Sequence, residues 1–287
     1  MNKIYVLVIA ILVALFSYFR NGSSENENQE SSVLTELPAE KGQSRGGKNA
    51  KALESDGVRY EIPKMEGKEQ GLIIEHVGHI LSYNKEYCTP YWSAWQLTAE
   101  RTEGTVARSK KFWADPAVPQ AYRVEWYEYK ESGYDRGHMC PAADMKWSEE
   151  AMHDCFYMTN MCPQTHSLNG GSWKSLEDKC RKWAQEDGRI YIVCGPIYNK
   201  GVRHEEIGID HRIIVPERFF KAVLSLNKGK EWAVGFIYEN NESRQSMKKA
   251  AKTVDEVEEI IGMDLFYQLD DELEDRIESE LPEFIQQ

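Results

Sequence analysis

Stretches rich in apolar, β-branched and aromatic residues, separated by turn residues, predict the strands of the folded part of the chain. Two stretches lie early, at residues 72–84 and 91–98, with turn residues 84–90 between them. The segment Asn227 to Lys230 predicts a hairpin between the last two of the later stretches. The later stretches span residues 189–198, 219–226 and 231–238.

Other periodicities predict helices. Ser172 to Gln185 repeats apolar residues at i, i+3 and i+7 with charged residues opposite, as an amphipathic helix does. Thr253 to Ile261 opens with a capping-box pattern, and the acidic segment 270–287 predicts a solvated terminal helix. Because strands and helices do not alternate regularly, the pattern predicts an α+β fold with a mainly antiparallel sheet and flanking helices.

The N-terminus carries a different pattern. Lys3 precedes an apolar run from Ile4 to Phe19, which predicts a signal peptide or signal anchor in residues 1–20. As a helix the run would span roughly 24 Å, short of a hydrocarbon core of about 30 Å. Polar residues 21–57 predict a flexible linker, and residues 58–287 the functional domain. The expected location is extracytoplasmic: secreted, periplasmic or membrane-anchored. A buried core helix is the alternative for the apolar run.

Composition and charge narrow the function classes. With 41% hydrophobic and 11% aromatic residues, the chain has the material for a core, which excludes a collagen or a wholly disordered protein. The net charge of −12 argues at first against a polyanionic partner. However, residues 254–287 hold 13 of the 47 acidic residues and one of the 35 basic residues. The rest of the chain is therefore neutral, and nucleic acid is not excluded as a partner.

Six cysteines are compatible with disulfides in an exported protein, and the sequence does not choose among the pairings. No two of them form a Cys-x-x-Cys pair, which argues against a zinc ribbon. For Cys180 and Cys194 we expect buried thiols that act as small apolar residues. The six are Cys88, Cys140, Cys155, Cys162, Cys180 and Cys194.

The densest group of chemically competent residues is Asp135-Arg136-Gly137-His138. A histidine beside a carboxylate can act as a general base near neutral pH. An arginine offers a planar, permanently charged group suited to phosphate. A glycine beside the base predicts a sharp turn of the backbone.

A second group follows further along the chain. Asn169 precedes the predicted helix, where its amide can cap the helix or bind a hard cation. Glu177 and Arg181 are four residues apart on one helix face, and a surface ion pair is the simpler interpretation of them. Taken with the first group, an amide oxygen, a carboxylate and several arginines indicate a largely hydrated Mg²⁺ bound to a phosphodiester.

Three segments occur in an order and spacing that resemble one family. They are DRGHMCPAADM, FYMTNMCPQ and LNGGSWKSLEDKCRKWA. Together they resemble the DNA/RNA non-specific endonucleases of the ββα-metal superfamily, and residues 83–98 and 195–198 also fit; the resemblance covers roughly residues 71–265. It implies a ββα-metal core and a Mg²⁺-dependent hydrolase, other ions such as Mn²⁺ being compatible. DNA and RNA would be its substrates, bound through phosphate contacts with little sequence preference.

The resemblance also implies roles for individual residues. His138 would be the general base that activates water, and Asn169 the single direct protein ligand of the metal ion. Glu177 would hold a metal-bound water. Arg136 and Arg181 would neutralise the phosphate in the transition state.

The resemblance implies further site residues whose chemical roles are less definite. Asp135, Asn160 and Gln164 would support the site or the bound nucleic acid. Arg108 would be the upstream phosphate-binding residue, although Lys110 lies where a shorter spacing would put it.

Two alternatives remain at this point. One is a catalytically inactive, extracytoplasmic nucleic-acid-binding protein on the same fold. The other is a zinc-binding module built from His138, Cys140, Cys155 and Cys162. Protein partners, the oligomeric state and a membrane tether through residues 4–19 stay open.

Overall fold

The computed structural model describes residues 57–65 and 70–286. The predicted signal or anchor segment 1–20 lies outside these residues, as does nearly all of the predicted linker 21–57. Within the described ranges, none of the helices combines the length and the apolar character needed to cross a bilayer.

The described residues form eleven strands, and seven of these make one sheet of order β1-β2-β3-β6-β9-β10-β11. Every neighbouring pair in this sheet is antiparallel. The predicted hairpin between β9 and β10 and the predicted strand regions are confirmed, except that residues 72–84, predicted as one stretch, form the two paired strands β1 and β2. The strands are β1 Leu72–Glu75, β2 Ile80–Asn84, β3 Thr89–Thr98, β4 Asp135–His138, β5 Met161–Gln164, β6 Arg189–Ile197, β7 Glu206–Ile207, β8 Ile213–Ile214, β9 Arg218–Ser225, β10 Trp232–Glu239 and β11 Ala251–Lys252.

The central strands are covered on both faces. Along β3, Trp95 and Leu97 join one hydrophobic cluster, whereas Trp92 and Ala94 join another. Alternate residues of a strand point to opposite faces, so the two clusters are the cores on the two sides of the sheet. We call the first the Trp95 face and the second the Trp92 face. Burial on both sides explains why these strands are apolar nearly throughout.

Seven α-helices surround the sheet in the described part of the chain. Helix α3 (Lys174–Asp187) buries Leu176, Cys180, Trp183 and Ala184 against the Trp95 face, which confirms the predicted apolar stripe. It begins at residue 174, because the preceding six residues form a π-helix, Leu168–Trp173. The helices are α1 Ala99–Thr102, α2 Glu149–Asp154, α3 Lys174–Asp187, α4 Met247–Ala250, α5 Val254–Ile261, α6 Asp271–Glu278 and α7 Glu283–Gln286.

Helix α5 begins as predicted. The Thr253 side chain accepts a hydrogen bond from the Glu256 backbone, and the Glu256 side chain accepts one from the Thr253 backbone. This capping box satisfies two amide groups that a helix N-terminus otherwise leaves unpaired. Val254 and Val257 are buried beneath it on the Trp92 face.

The prediction of a single solvated helix at the C-terminus is wrong. The segment forms two helices, α6 and α7, and residues 279–282 separate them. Pro282 disfavours helical backbone in the residue before it, which accounts for the interruption. Ile277 and Ile285 are buried, so both helices pack against the rest of the protein.

All six cysteines are buried free thiols, so the disulfides that the sequence allowed are not formed. Burial raises the pKa of Cys180 to about 12 and that of Cys194 to about 11. A buried thiol with a raised pKa is a poor nucleophile and acts as a small apolar residue. The interpretation of Cys180 and Cys194 is thus confirmed.

The contact between β10 and α5 generates a stability prediction. A Cβ atom added at Gly235 would lie 2.3 Å from Val257 Cγ2. We expect Gly235→Ala to lower the free energy of unfolding by about 1–3 kcal/mol, because overpacking forces neighbouring atoms apart. Urea denaturation of the full chain measures this change.

The matched control is the double variant Gly235→Ala/Val257→Ala. Removing the Val257 methyl groups makes room for the new Cβ, so the double variant should be no less stable than Val257→Ala alone. Additive losses in the double variant would contradict this account of the contact.

Candidate active site

Two of the sequence segments that predicted the site form one pair of strands. β4, which is the Asp-Arg-Gly-His segment, pairs antiparallel with β5, and Asp135 lies opposite Gln164. The sharp turn predicted at Gly137 is wrong, since this glycine has an ordinary negative-φ strand conformation. A Cβ there would lie 2.1 Å from Gln164 Oε1. The glycine is therefore required by the close approach of Gln164.

Asn160 fixes the chain on the far side of His138. It is fully buried, and its Oδ1 accepts hydrogen bonds from Cys140 N at 2.9 Å and Ser93 Oγ at 3.2 Å. Its Nδ2 donates to the backbone oxygens of Cys140 and Cys155, at 2.9 Å each. All these bonds are internal to the protein, which favours a supporting role for Asn160.

His138 lies between two aromatic rings. Its ring centroid is 4.7 Å from that of Phe156 and 5.7 Å from that of Phe112, and the residue is 7% exposed. Burial, with the positive charge of Arg108, lowers the pKa of His138 to about 3, although a hydrogen bond to the Arg136 backbone opposes this shift. Nε2 is buried and has no hydrogen-bond partner among the described residues. A buried ring nitrogen of this kind is costly unless water or a ligand satisfies it.

Two arginines cover the rings that enclose His138. The Arg108 guanidinium is 5.0 Å from the Phe156 centroid, and the Arg136 guanidinium is 5.0 Å from the Phe112 centroid. Arg136 also donates from Nε and Nη2 to the Trp126 carbonyl, at 3.0 and 2.8 Å. Arg108, which the sequence motif identified only loosely as the upstream phosphate-binding residue, is thus adjacent to His138.

A cavity of about 740 Å³ opens beside Arg136. Its lining combines cations with aromatic rings, a composition suited to phosphates and bases of a nucleic acid strand. Lys110, the alternative to Arg108, lies here. The lining residues are Lys110, Lys111, Phe112, Trp113, Ala114, Glu125, Trp126 and Arg136.

Asn169 lies in the π-helix and does not cap helix α3. Its Nδ2 donates to Asp135 Oδ2 at 2.9 Å, and His166 Nδ1 forms a 3.0 Å hydrogen bond with the same oxygen. With the amide nitrogen turned toward Asp135, the amide oxygen is the atom left for a cation. The Trp173 indole donates to the His138 backbone oxygen at 3.3 Å. The π-helix is therefore bonded to both ends of β4.

Glu177 and Arg181 do not form the ion pair that their spacing suggests. Arg181 Nη1 bonds Asp144 Oδ1 at 2.7 Å, and Nη2 bonds Asp178. Burial of the carboxyl group raises the pKa of Glu177 to about 7, and the charge of Lys221 opposes this shift. Glu177 is consequently poised between its neutral and charged forms near physiological pH.

The sequence interpretation missed Lys221. This residue is 1% exposed on β9, and its Nζ is 4.3 Å from the Trp173 ring and 4.9 Å from the Trp95 ring. Asp144, also buried, accepts a hydrogen bond from the Trp95 indole at 3.1 Å. A lysine in the middle of an apolar strand was the available signal, because buried lysines require compensating partners.

The zinc-module alternative lacks structural support. Within residues 57–65 and 70–286, His138, Cys140, Cys155 and Cys162 do not form a group whose donor atoms converge. The sequence prediction for the catalytic and metal-binding residues stays a prediction, now with a geometry that can be tested.

Comparison with protein families gives an independent result. The sequence matches the model of the DNA/RNA non-specific endonuclease family over residues 60–272. This range includes every residue of the site described above. The members of this family are metal-dependent nucleases.

Individual relatives agree. Endonuclease G of Caenorhabditis elegans is 32% identical over 67% of this chain and 67% of its own. Nuclease EXOG of Danio rerio is 36% identical over 52% of this chain and 46% of its own. A chain in the crystal structure of the EndoG/EndoGI complex superposes with a TM-score of 0.66 and 27% identity, covering 72% of this chain and 91% of that one. The chain matches 46%, 58% and 64% of the length of the first three curated relatives.

The predicted extracytoplasmic location is wrong. The relatives from Danio rerio, Xenopus laevis, Schizosaccharomyces pombe, Saccharomyces cerevisiae and Caenorhabditis elegans are all named as mitochondrial. The apolar run from Ile4 to Phe19, on which the prediction rested, lies outside the described residues. An apolar run after a basic residue shows that the segment is hydrophobic, but it does not by itself identify the cellular compartment of the protein.

The surroundings of His138 generate a pH prediction. Because its pKa is lowered to about 3, the ring should remain neutral between pH 5 and 8 in the substrate-free protein. The unfolded chain takes up this proton near pH 6.5, so the free energy of unfolding should fall as pH drops from 6.5 toward 3.

NMR of the ring Cε1–H resonance measures this titration. The signal that is missing from the spectrum of the His138→Ala variant identifies the residue. A midpoint near pH 6.5 for this resonance would contradict the prediction.

Proposed function

The chain belongs to the DNA/RNA non-specific endonucleases, and on that basis we propose that it hydrolyses phosphodiester bonds of DNA and RNA in a metal-dependent reaction. The observation that carries the proposal is the junction of β4 with the π-helix. The hydrogen bond from Asn169 to Asp135 and that from Trp173 to His138 bring the two candidate groups to one four-residue strand.

The residues at this junction suit a hard divalent cation. The amide oxygen of Asn169 would bind it, and the carboxylates of Asp135 and Glu177 would hold its water ligands. Mg²⁺ retains several waters and needs few protein ligands, so this small set of oxygen donors is sufficient. When bound, the ion supplies stabilisation of negative charge on the phosphate and on the leaving oxygen.

His138 has the surroundings of a general base. Its ring is hydrogen-bonded to the Arg136 backbone and keeps Nε2 without a protein partner. Nε2 is therefore the atom that would accept a proton from the attacking water. A pKa of about 3 is too low for an efficient base at neutral pH. A bound phosphodiester would raise this pKa, because its negative charge favours the protonated ring and opposes the charge of Arg108.

The three candidate arginines have unequal roles in this proposal. Arg108 and Arg136 lie on the rings around His138. Neither forms an ion pair with a carboxylate among the described residues, so both would contact the phosphate. Arg181 is paired with Asp144 and Asp178. Arg181 would act mainly by lowering the pKa of Glu177 through its positive charge. It would contact the phosphate only where substrate displaces Asp178 from its guanidinium group.

Binding through phosphates gives little sequence preference, because phosphates carry no base information. It also predicts affinity that falls with salt. The cavity beside Arg136 would accommodate the strand next to the scissile bond. Gln164 would position the Gly137 backbone through the close contact described above.

The central prediction concerns His138→Ala. With DNA and RNA substrates and Mg²⁺, we expect cleavage by this variant of the full chain to fall by at least about 10²-fold, the contribution typical of a general base. Chelation with EDTA should abolish cleavage by the unmodified protein, and added Mg²⁺ should restore it. Gel analysis of substrate loss measures both effects.

The matched control is His204→Ala. His204 bonds Glu217 at 2.7 Å and packs against the rings of Tyr87 and Tyr198, none of which is a candidate site residue. Its substitution should leave cleavage unchanged. If His138→Ala cuts at the normal rate while folded, the proposed base is wrong; if the unmodified protein retains nucleic acid without cutting it, the inactive binding protein is the better description.

A further prediction separates Arg108 from Lys110. Arg108→Ala should lower kcat by about 10-fold or more and raise the pKa of His138, because a positive charge beside the ring is removed. Lys110→Ala should change mainly KM, since Lys110 lines the cavity next to the histidine site. Steady-state cleavage kinetics, with the His138 NMR titration, distinguish them. The reverse pattern would assign the upstream phosphate contact to Lys110.

A further inference from the structure

We propose that the C-terminal helices hold a structural Ca²⁺ ion between the carboxylates of Asp255, Glu258 and Glu278. This site is separate from the candidate active site, and the proposal does not depend on the nuclease function. Its occupant would fasten helix α6 to helix α5 on the Trp92 face of the sheet.

The first observation is the convergence of three oxygens. One carboxylate oxygen from each of the three residues lies within 4.8 Å of the other two. Calcium binds oxygen at about 2.3–2.6 Å, so two ligands of one ion are at most about 5 Å apart. The three oxygens therefore fall within the span of a single coordination shell.

The fold holds these side chains in place. Asp255 and Glu258 are three residues apart on α5, and Glu278 is the last residue of α6. Val257 and Ile277 are buried in the same hydrophobic cluster, and both helices pack on β10. The convergence thus arises from two rigid elements and not from an exposed loop.

The second observation is that Glu278 is buried without a partner. The residue is 2% exposed, and its Oε1 has no hydrogen-bond partner among the described residues. A carboxylate removed from water is strongly destabilising unless a proton or a cation neutralises it. Because its carboxyl group is one of the three that converge, the unpaired acid points into the proposed site.

The charged groups that act most strongly on Glu278 are acidic: Glu258, Glu274, Asp255 and Asp264. Three basic side chains on neighbouring segments are paired with other carboxylates. These pairs are Arg276 with Glu231, Lys252 with Glu256, and Lys64 with Asp264.

The donor set favours calcium over other common ions. Three carboxylates provide only oxygen, whereas zinc prefers nitrogen and sulfur ligands. Magnesium requires near-ideal octahedral geometry and loses water reluctantly, so a site between two helices suits it less. Calcium accepts irregular arrangements of carboxylates and waters. The competing explanation is a proton shared between Glu278 and Glu258.

The test is thermal unfolding of the full chain after treatment with EGTA, in buffer without Mg²⁺. We expect 1 mM Ca²⁺ to raise Tm by roughly 5 °C, the shift produced by an ion well above its Kd in a protein of this size. Isothermal titration calorimetry with Ca²⁺ should give one site per chain. Absence of a Ca²⁺-dependent shift in the unmodified protein would overturn the proposal.

Two variants that each remove one negative charge distinguish Ca²⁺ binding at the site from a general effect of charge on stability. Glu278→Gln should abolish the Ca²⁺-dependent shift in Tm, whereas Glu272→Gln, at an exposed position of the same helix, should retain it. Asp255→Asn serves as a second variant at the site and should weaken the shift. If Glu278→Gln raises Tm equally with and without Ca²⁺, the shared proton replaces the ion as the explanation. None of these readouts uses cleavage, so failure here is distinct from failure of the proposed nuclease activity.

Discussion

The hydrogen bond from Asn169 to Asp135 is the contact on which the geometry of the candidate site depends. It joins a π-helix to a four-residue strand, and it occupies the amide nitrogen of Asn169, which leaves the amide oxygen as the atom for a cation. Without it, Asn169 would be free to cap helix α3, as its position in the sequence suggests. The bond from Trp173 to the backbone of His138 fixes the other end of the strand. An extended strand of four residues spans about 10 Å, so these two bonds attach the π-helix at points no further apart than that.

Beneath this junction the protein buries charges that offset one another. Lys221 lies between two tryptophan rings, and its charge lowers the pKa of Glu177 while burial raises that pKa. Arg181 is held by Asp144, which is itself fixed by the Trp95 indole. The buried lysine would be destabilising alone, but the surrounding carboxylates and aromatic rings compensate it. The pKa of Glu177 is therefore set by burial and by the charges of Lys221, Asp144 and Arg181.

The sequence was sufficient for the strands, for the amphipathic helix and for the helix start at Thr253, because these depend on local periodicity and capping. It failed where the structure depends on distant contacts. Gly137 was interpreted as a turn, but the constraint is the side chain of Gln164 across the strand pair. The partners of Arg181 were also wrong, since Asp144 lies 37 residues away in the chain. Lys221 was missed because the aromatic rings that pack against its ammonium group, those of Trp95 and Trp173, come from distant parts of the chain.

The fold places the acidic helices α5 and α6 on the other side of the sheet from the candidate site. Helices α5 and α6 pack on the Trp92 face, whereas helix α3 and the residues that follow β4 pack on the Trp95 face. The sheet therefore separates the acidic cluster from the candidate site. In the proposed reaction, the positive charges next to the phosphate are those of Arg108 and Arg136, which lie on the rings around His138.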